Sequence, residues 1–203
     1  MPALKEFTGT FPRGALTVVF GPSGSGKTTL LKAIGTLLPP TSGTVWYGNT
    51  NPYSLSKEDL RNLRKRIGIS FQEPIFVPSL TLWENIELAL NAAGKLNAEH
   101  KKLALNLADE LGVRQLLNKK AHQVSGGEKR RIAIVMALSK NPEVLIMDEP
   151  TAYLDGESTE RLLSLIQRLK EDRIIIAATH DPELVKVGNV TYRLRYGKKI
   201  SER

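Results

Sequence analysis

The stretch that most limits what this chain can become is Gly21-Pro22-Ser23-Gly24-Ser25-Gly26-Lys27-Thr28. It fits the pattern G-x-x-x-x-G-K-[ST]. An apolar run at 16–20, which reads as a buried strand, precedes it. A run with helical spacing (Leu30, Leu31, Ile34 and Leu37, closed by Pro39-Pro40) follows it. Strand, glycine-rich turn and helix are the setting the pattern requires. The glycines let the backbone curl until its N–H groups point inward at phosphate oxygens. The helix then offers unpaired N–H groups and the positive end of its dipole to the same anion. Lys27 reaches the β- and γ-phosphates, the Thr28 hydroxyl is placed to ligate Mg²⁺, and Thr29 counts with the loop as a phosphate contact. The pattern names a nucleoside triphosphate and leaves open what is done with it.

The rest of the chain alternates strand and helix, which predicts an α/β fold with a mainly parallel sheet. Strands are expected at 44–47, 67–71, 144–148 and 174–179, and a two-stranded turn around Gly197. A charged helix is expected at 57–66, capped by Ser56. Its basic run, Arg61-Asn62-Leu63-Arg64-Lys65-Arg66, reads as a solvated helix face, with docking to a membrane surface or a partner as the alternative. From about 81 to 139 the periodicity is helical, with helices at 82–93, 98–111 and 128–139, and a further helix is expected at 157–170. A helical subdomain, about 73–140, is therefore expected to be inserted in a core made of about 1–72 and 141–203.

The strand 144–148 ends in two carboxylates, Asp148 and Glu149. Ligands of open parallel sheets gather at the carboxyl ends of strands. Asp148 is placed to hold Mg²⁺ and Glu149 to take a proton from, or orient, an attacking water. Two more polar residues end apolar strands on the same side. Gln72 is a candidate Mg²⁺ ligand that also positions water, and His180 a candidate hydrogen-bond donor to the γ-phosphate. Taken singly, each has an ordinary structural explanation; four strand ends carrying such groups form a constellation.

Bulk properties exclude other classes. There is no cysteine, hence no disulfide, thiolate metal site or cysteine nucleophile. No apolar stretch nears the roughly 18 residues of a spanning helix. The start, Met1-Pro2-Ala3-Leu4-Lys5-Glu6, lacks an apolar signal core, so no secretion is expected. The formal charge is +8, yet aromatics are 6% and do not alternate with basic residues, which argues against nucleic acid as partner.

A second glycine motif, Val124-Ser125-Gly126-Gly127-Glu128, opens the helix before the acidic strand. Alone it reads as an N-capped helix, Ser125 and Glu128 forming a capping box. In this order along the chain the motifs resemble those of the ABC ATPase family. Residues 21–28 match the Walker A loop, Gln72 the Q-loop, Ser125, Gly126, Gly127 and Glu128 the LSGGQ signature, and Asp148-Glu149 Walker B. Ala152-Tyr153-Leu154-Asp155 matches the D-loop and His180 the switch histidine. The resemblance implies a P-loop NTPase core, ATP and Mg²⁺ as cofactors, and head-to-tail pairing. Ser125, Gly126 and Gly127 would touch the γ-phosphate held by the other subunit, and Asp155 would touch that subunit. It implies a second ABC ATPase subunit as partner (a homodimer on ATP binding), a separate transmembrane permease, and a cytoplasmic place on the inner face of the cell membrane. Segments 39–48, 54–66 and 81–85 look most like the lipoprotein-releasing and macrolide-export branch. The rivals are an ABC-type switch acting on a non-transport machine and, further off, a P-loop kinase or small GTPase.

Two departures stand out. Val135-Met136 occupies the place of the family's usual Ala-Arg pair. The aromatic on which such domains stack adenine usually stands upstream of the stretch matching 3–7. Phe7 and Phe11 are the rings left to replace it. Aromatic stacking is worth about 1–3 kcal/mol per base, so GTP is expected to compete measurably with ATP. Competition assays showing rejection of GTP as strong as in a relative with the aromatic would overturn this.

Overall fold

A computed structural model describes residues 3–202. Six strands form one sheet in the order β2-β3-β4-β1-β5-β6. They are β1 (Ala15–Phe20), β2 (Ile67–Ser70), β3 (Val144–Asp148), β4 (Ile174–Thr179), β5 (Val190–Arg195) and β6 (Lys198–Glu202). The pairs β2–β3, β3–β4, β4–β1 and β1–β5 are parallel, and β6 turns back antiparallel on β5. The register places Phe20 beside Thr179 and Asp148 beside Ala178. The carboxyl ends of β1, β3 and β4 therefore finish level.

The inner strands are apolar on both faces, as a sheet covered on both sides demands. Leu16 and Val18, Leu145 and Met147, and Ile175 and Ala177 point to one face. There they meet α3 (Leu82–Ala92), α4 (Ala98–Glu110), α5 (Gly126–Leu138), α6 (Gly156–Leu169) and α7 (Pro182–Val187). Val19, Ile146, Ile176 and Ala178 point to the other, under α1 (Lys27–Ile34) and α2 (Lys57–Lys65). Between β2 and β3 the chain is helical, and its buried side chains join the first of these clusters.

Helix starts follow their capping residues. Ser56, Thr81, Asn97, Ser125 and Asp155 each accept a backbone N–H from the first turn. Thr81 and Ser125 form full capping boxes with Glu84 and Glu128.

Two expectations need correction. The helix after the glycine loop stops at Ile34, well before Leu37, which is exposed. Thr36 turns left-handed (φ 62°), and side chains take up the last carbonyls. The Tyr47 hydroxyl donates to Ile34 O at 2.6 Å, and the Tyr53 hydroxyl lies 2.6 Å from both Ala33 O and Leu38 O. This tether also explains why 44–47 is not a strand: its pairing is a lone bridge from Tyr47 to Thr50. The basic run lies on a solvated helix face, as expected, and two of its members also make specific contacts there. Arg64 donates to Thr36 Oγ1 and O, and Arg66 grips Glu143 through two bonds of 2.7 and 2.6 Å. The short α7 lacks an expectation because six residues carry too little periodicity.

The edge strand β2 packs tightly on α5. A Cβ on Gly68 would come within 2.7 Å of Ala137 O and 2.9 Å of Pro142 Cγ. Replacing Gly68 by Ala should lower the unfolding free energy by about 1–3 kcal/mol, the usual cost of overpacking, measured by urea denaturation. An unchanged midpoint would show that β2 and α5 can separate freely.

Candidate nucleotide site

The loop after β1 curls as its glycines allow. Gly24 and Gly26 take φ of 75° and 100°. A Cβ on Gly21 would sit 2.3 Å from Leu194 O, and one on Gly26 would sit 2.5 Å from Ala3 O. Gly26 caps α1 without a side-chain acceptor, so the first N–H groups of that helix stay available. They open on a cavity of about 230 Å³ lined by Ala3, Ser23, Gly24, Ser25, Gly26, Lys27, Thr28, Thr29, Gln72, Asp148, Glu149 and His180. Four strand ends thus supply one concavity, as the parallel register requires.

An ammonium carries three protons, and that of Lys27 has three partners. It lies 2.7 Å from Gly21 O, 3.1 Å from Pro22 O and 3.4 Å from Glu149 Oε1. Both side chains are almost fully buried. Glu149 bends back from the strand end with φ 50°, a left-handed conformation that costs a non-glycine residue about 1–2 kcal/mol. Its other oxygen, Oε2, accepts from Thr179 Oγ1 at 3.1 Å and His180 N at 3.3 Å, and lies 3.0 Å from His180 Nδ1. His180 itself is exposed at the rim.

Asp148 Oδ2 accepts the Thr28 hydroxyl proton at 2.7 Å. Its Oδ1 is buried with no hydrogen-bond partner. Burial pushes the carboxyl's pKa up and nearby Glu149 adds to this, while the Thr28 hydrogen bond, Lys27 and Arg130 pull it down. Oδ1 is a buried carboxylate oxygen without a partner, on a residue that lines the cavity.

The second glycine motif is elsewhere. Ser125 and Gly126 are exposed and do not line the cavity. Ser125 N donates to Glu128 Oε2 at 2.7 Å, and Ser125 Oγ accepts from Glu128 N at 3.2 Å. That backbone hydrogen bond, chiefly, holds the Glu128 pKa down. Gly127 is pressed on the next loop, where a Cβ would meet Tyr153 O at 2.5 Å. Asp155 caps α6, accepting from Ser158 N at 2.7 Å. One chain therefore brings 21–29, Gln72, Asp148, Glu149 and His180 together and leaves Ser125, Gly126, Gly127, Glu128 and Asp155 apart. Phe7 and Phe11 are not cavity rings. They pack edge-on against Tyr192, centroids 5.2 and 5.7 Å away.

Two contributors escaped the sequence reading. Thr179 holds Glu149 and was hidden as one more strand residue. Arg130 is almost fully buried and donates to carbonyls at the ends of β2 and β3. Its spacing four residues before Ile134, on the buried face of α5, was the available signal.

Comparison with known proteins agrees with this geometry. A family model described as ABC transporter matches residues 4–152. The phosphonates import ATP-binding protein PhnC 1 of Ruegeria sp. (strain TM1040) is 35% identical over 207 residues, spanning 98% of this chain and 78% of that protein. The putative hemin import ATP-binding protein HrtA of Staphylococcus aureus is 37% identical, spanning 96% and 89%. Among solved structures, a dimeric structure of MJ0796, a bacterial ABC transporter cassette, superposes with TM-score 0.92 at 33% identity, covering 99% of this chain and 90% of that one. MJ0796 also occurs among the relatives, from Methanocaldococcus jannaschii. Its dimeric post-hydrolysis state, bound to ADP and Pi, gives TM-score 0.91. The chain belongs to the ABC transporter family and is one of its ATP-binding, ATP-hydrolysing subunits.

Proposed function

We propose that two copies of this chain close head to tail around two ATP molecules and that the cycle drives a separate membrane-spanning partner. The observation that carries this is the split site. The phosphate loop and the strand-end acids line one cavity, while Ser125 and Gly126, at a capped helix start, are exposed and stand outside it. A helix N-terminus is an anion site, and the second copy's phosphate is the anion this one fits. The dimeric MJ0796 cassette supports the pairing.

Within the cavity, the loop N–H groups and Lys27 bind the β- and γ-phosphates. A γ-phosphate competes with Glu149 for Lys27, whose contact to that carboxylate is its longest. Glu149, released, takes a proton from water as its oxygen attacks the γ-phosphorus. The bond to the bridging oxygen breaks and ADP leaves with that oxygen. His180 donates to the γ-phosphate. Ser125, Gly126 and Gly127 of the other copy complete its coordination, and the segment around Asp155 meets that copy.

The residues present fit Mg²⁺. Asp148 Oδ1 is free, and the Thr28 hydroxyl keeps lone pairs after donating to Asp148. Gln72 lines the same cavity. Among the described residues there is no group of three His, Cys, Asp or Glu side chains. Such a set leaves room for phosphate oxygens, as magnesium sites do. When bound, Mg²⁺ would be held by Asp148, Thr28 and Gln72 and would neutralise charge developing on the phosphates.

Among the described residues, no helix is long and apolar enough to cross a membrane. The spanning component would be a separate polypeptide, with this subunit peripheral on the cytoplasmic face. The core (about 1–72 and 141–203) would hold ATP and the helical subdomain (about 73–140) would present the signature. The lipoprotein-releasing and macrolide-export branch remains the reading of segments 39–48, 54–66 and 81–85.

Glu149→Gln should keep ATP binding, lose about 10²–10⁴-fold in turnover, the usual share of a general base, and accumulate an ATP-bound dimer on size exclusion. Normal turnover by this variant would remove Glu149 from the role of base. Lys27→Ala should weaken ATP binding about 10–100-fold, the worth of a charged hydrogen bond, in a fluorescence titration with labelled nucleotide. Undiminished affinity would contradict the phosphate role of Lys27. Affinity capture from detergent extract should bring down a multi-span membrane protein, and a soluble or single-span partner in its place would favour the switch.

A further inference from the structure

Among the described residues, the largest fully buried side chain is a cation, Arg130, at 1% exposure. It stands early in α5, just after the Ser125-Gly126-Gly127 start. Among the described residues, no carboxylate lies within ion-pairing distance of it. Its Nη1 donates to Phe71 O at 2.5 Å and to Asp148 O at 3.1 Å. Its Nη2 donates to Gln72 O. Its Nε is buried without a partner. Burying a guanidinium is expensive unless its hydrogen bonds are made, and an apolar residue would fill the same volume at lower cost. What the arginine adds is a connection. Its rigid fork reaches two strand ends at once.

Both strand ends belong to the ATP cavity. Gln72 and Asp148 line it, and Phe71 is the residue before Gln72. Arg130 joins them to the helix whose first residues serve, on the reading proposed above, the other copy's ATP. The neighbouring Arg131 donates to Ser158 Oγ at the start of α6, so α5 is tied at its start to that side too. We propose that Arg130 is a positioning residue that couples the two ATP sites of the dimer. It carries a shift of Gln72 or Asp148 in one site to Ser125 and Gly126, and so to the other. This inference rests on the head-to-tail reading.

The test uses the purified chain and its Arg130→Met, Arg130→Gln and Arg130→Lys variants, with folding checked by thermal melts. Steady-state hydrolysis is followed against ATP concentration, and ATP binding to the monomer is titrated separately. Wild type should show a Hill coefficient approaching two, the number of coupled sites. Arg130→Met should bind ATP as monomer within about 2-fold of wild type, lose about 10-fold or more in kcat and fall to a Hill coefficient near one, a loss within the usual range of coupling between sites. Arg130→Lys, which keeps the charge without the fork, should recover part of kcat and of the cooperativity. Where Arg130→Met does not fold, Arg130→Gln, with two amide donors, makes the same comparison. A folded Met or Gln variant as cooperative as wild type would overturn the coupling role and leave the head-to-tail reading intact. A wild type that never dimerises, even as Glu149→Gln with ATP, would overturn both.

Discussion

Two carboxylates sit buried side by side at the end of β3, and one ammonium makes this tolerable. Lys27 is the cation in contact with Glu149, and it also helps hold down the pKa of Asp148 against burial. With the Thr28 hydrogen bond and Arg130, it opposes the rise that burial imposes on the Asp148 pKa. The same ammonium pins the glycine loop through Gly21 O and Pro22 O, so one side chain sets both the cradle and the acids. The parallel register makes this possible, because it levels the ends of β1, β3 and β4.

What the chain keeps out of the cavity matters as much. The Ser125 motif is braced from two directions. Its capping box engages the Glu128 carboxylate, and Gly127 rests on Tyr153 O. Asp155, the other residue expected at the junction between subunits, is committed to capping α6. The motif is therefore held in shape before a second subunit arrives, and pre-organised groups lose less entropy on association. A half-site that is already rigid can complete a partner's pocket without first being ordered.

Much of this could be read in the residues, and the exceptions share a cause. The inner strands show as short apolar runs between turn signals, and β3 and β4 begin and end where those runs do. The loop 21–28 and the strand-end Gln72, Asp148, Glu149 and His180 could be placed because each follows a strand. The failures depend on contacts distant in sequence. The end of α1 is decided by Tyr47 and Tyr53, which take its last carbonyls, and by Arg64, which holds Thr36 just beyond it, from 13 to 28 residues away. The apolar stretch 44–47 has strand composition, but among the described residues no neighbouring strand pairs with it, and composition cannot supply one. In the sequence, Arg130 is one of several basic residues in a helix. Its burial follows from how α5 lies over β2 and β3, and the local pattern does not contain that.

Lys27 and Arg130 are both buried cations near the carboxyl ends of the strands, yet their partners differ in kind. Lys27 is shared between two carbonyls and a carboxylate, and a phosphate is a better partner for an ammonium than the distant carboxylate. Its bonds are exchangeable, which suits a group that must meet a ligand of changing charge. Arg130 donates to neutral backbone carbonyls alone. No ligand displaces those acceptors, because they are part of the strands. When the strand ends move, the guanidinium moves with them and α5 follows. On the function proposed above, one cation senses the nucleotide and the other carries the displacement, and the division follows from whether the acceptor is a charge that can be replaced or a peptide group that cannot.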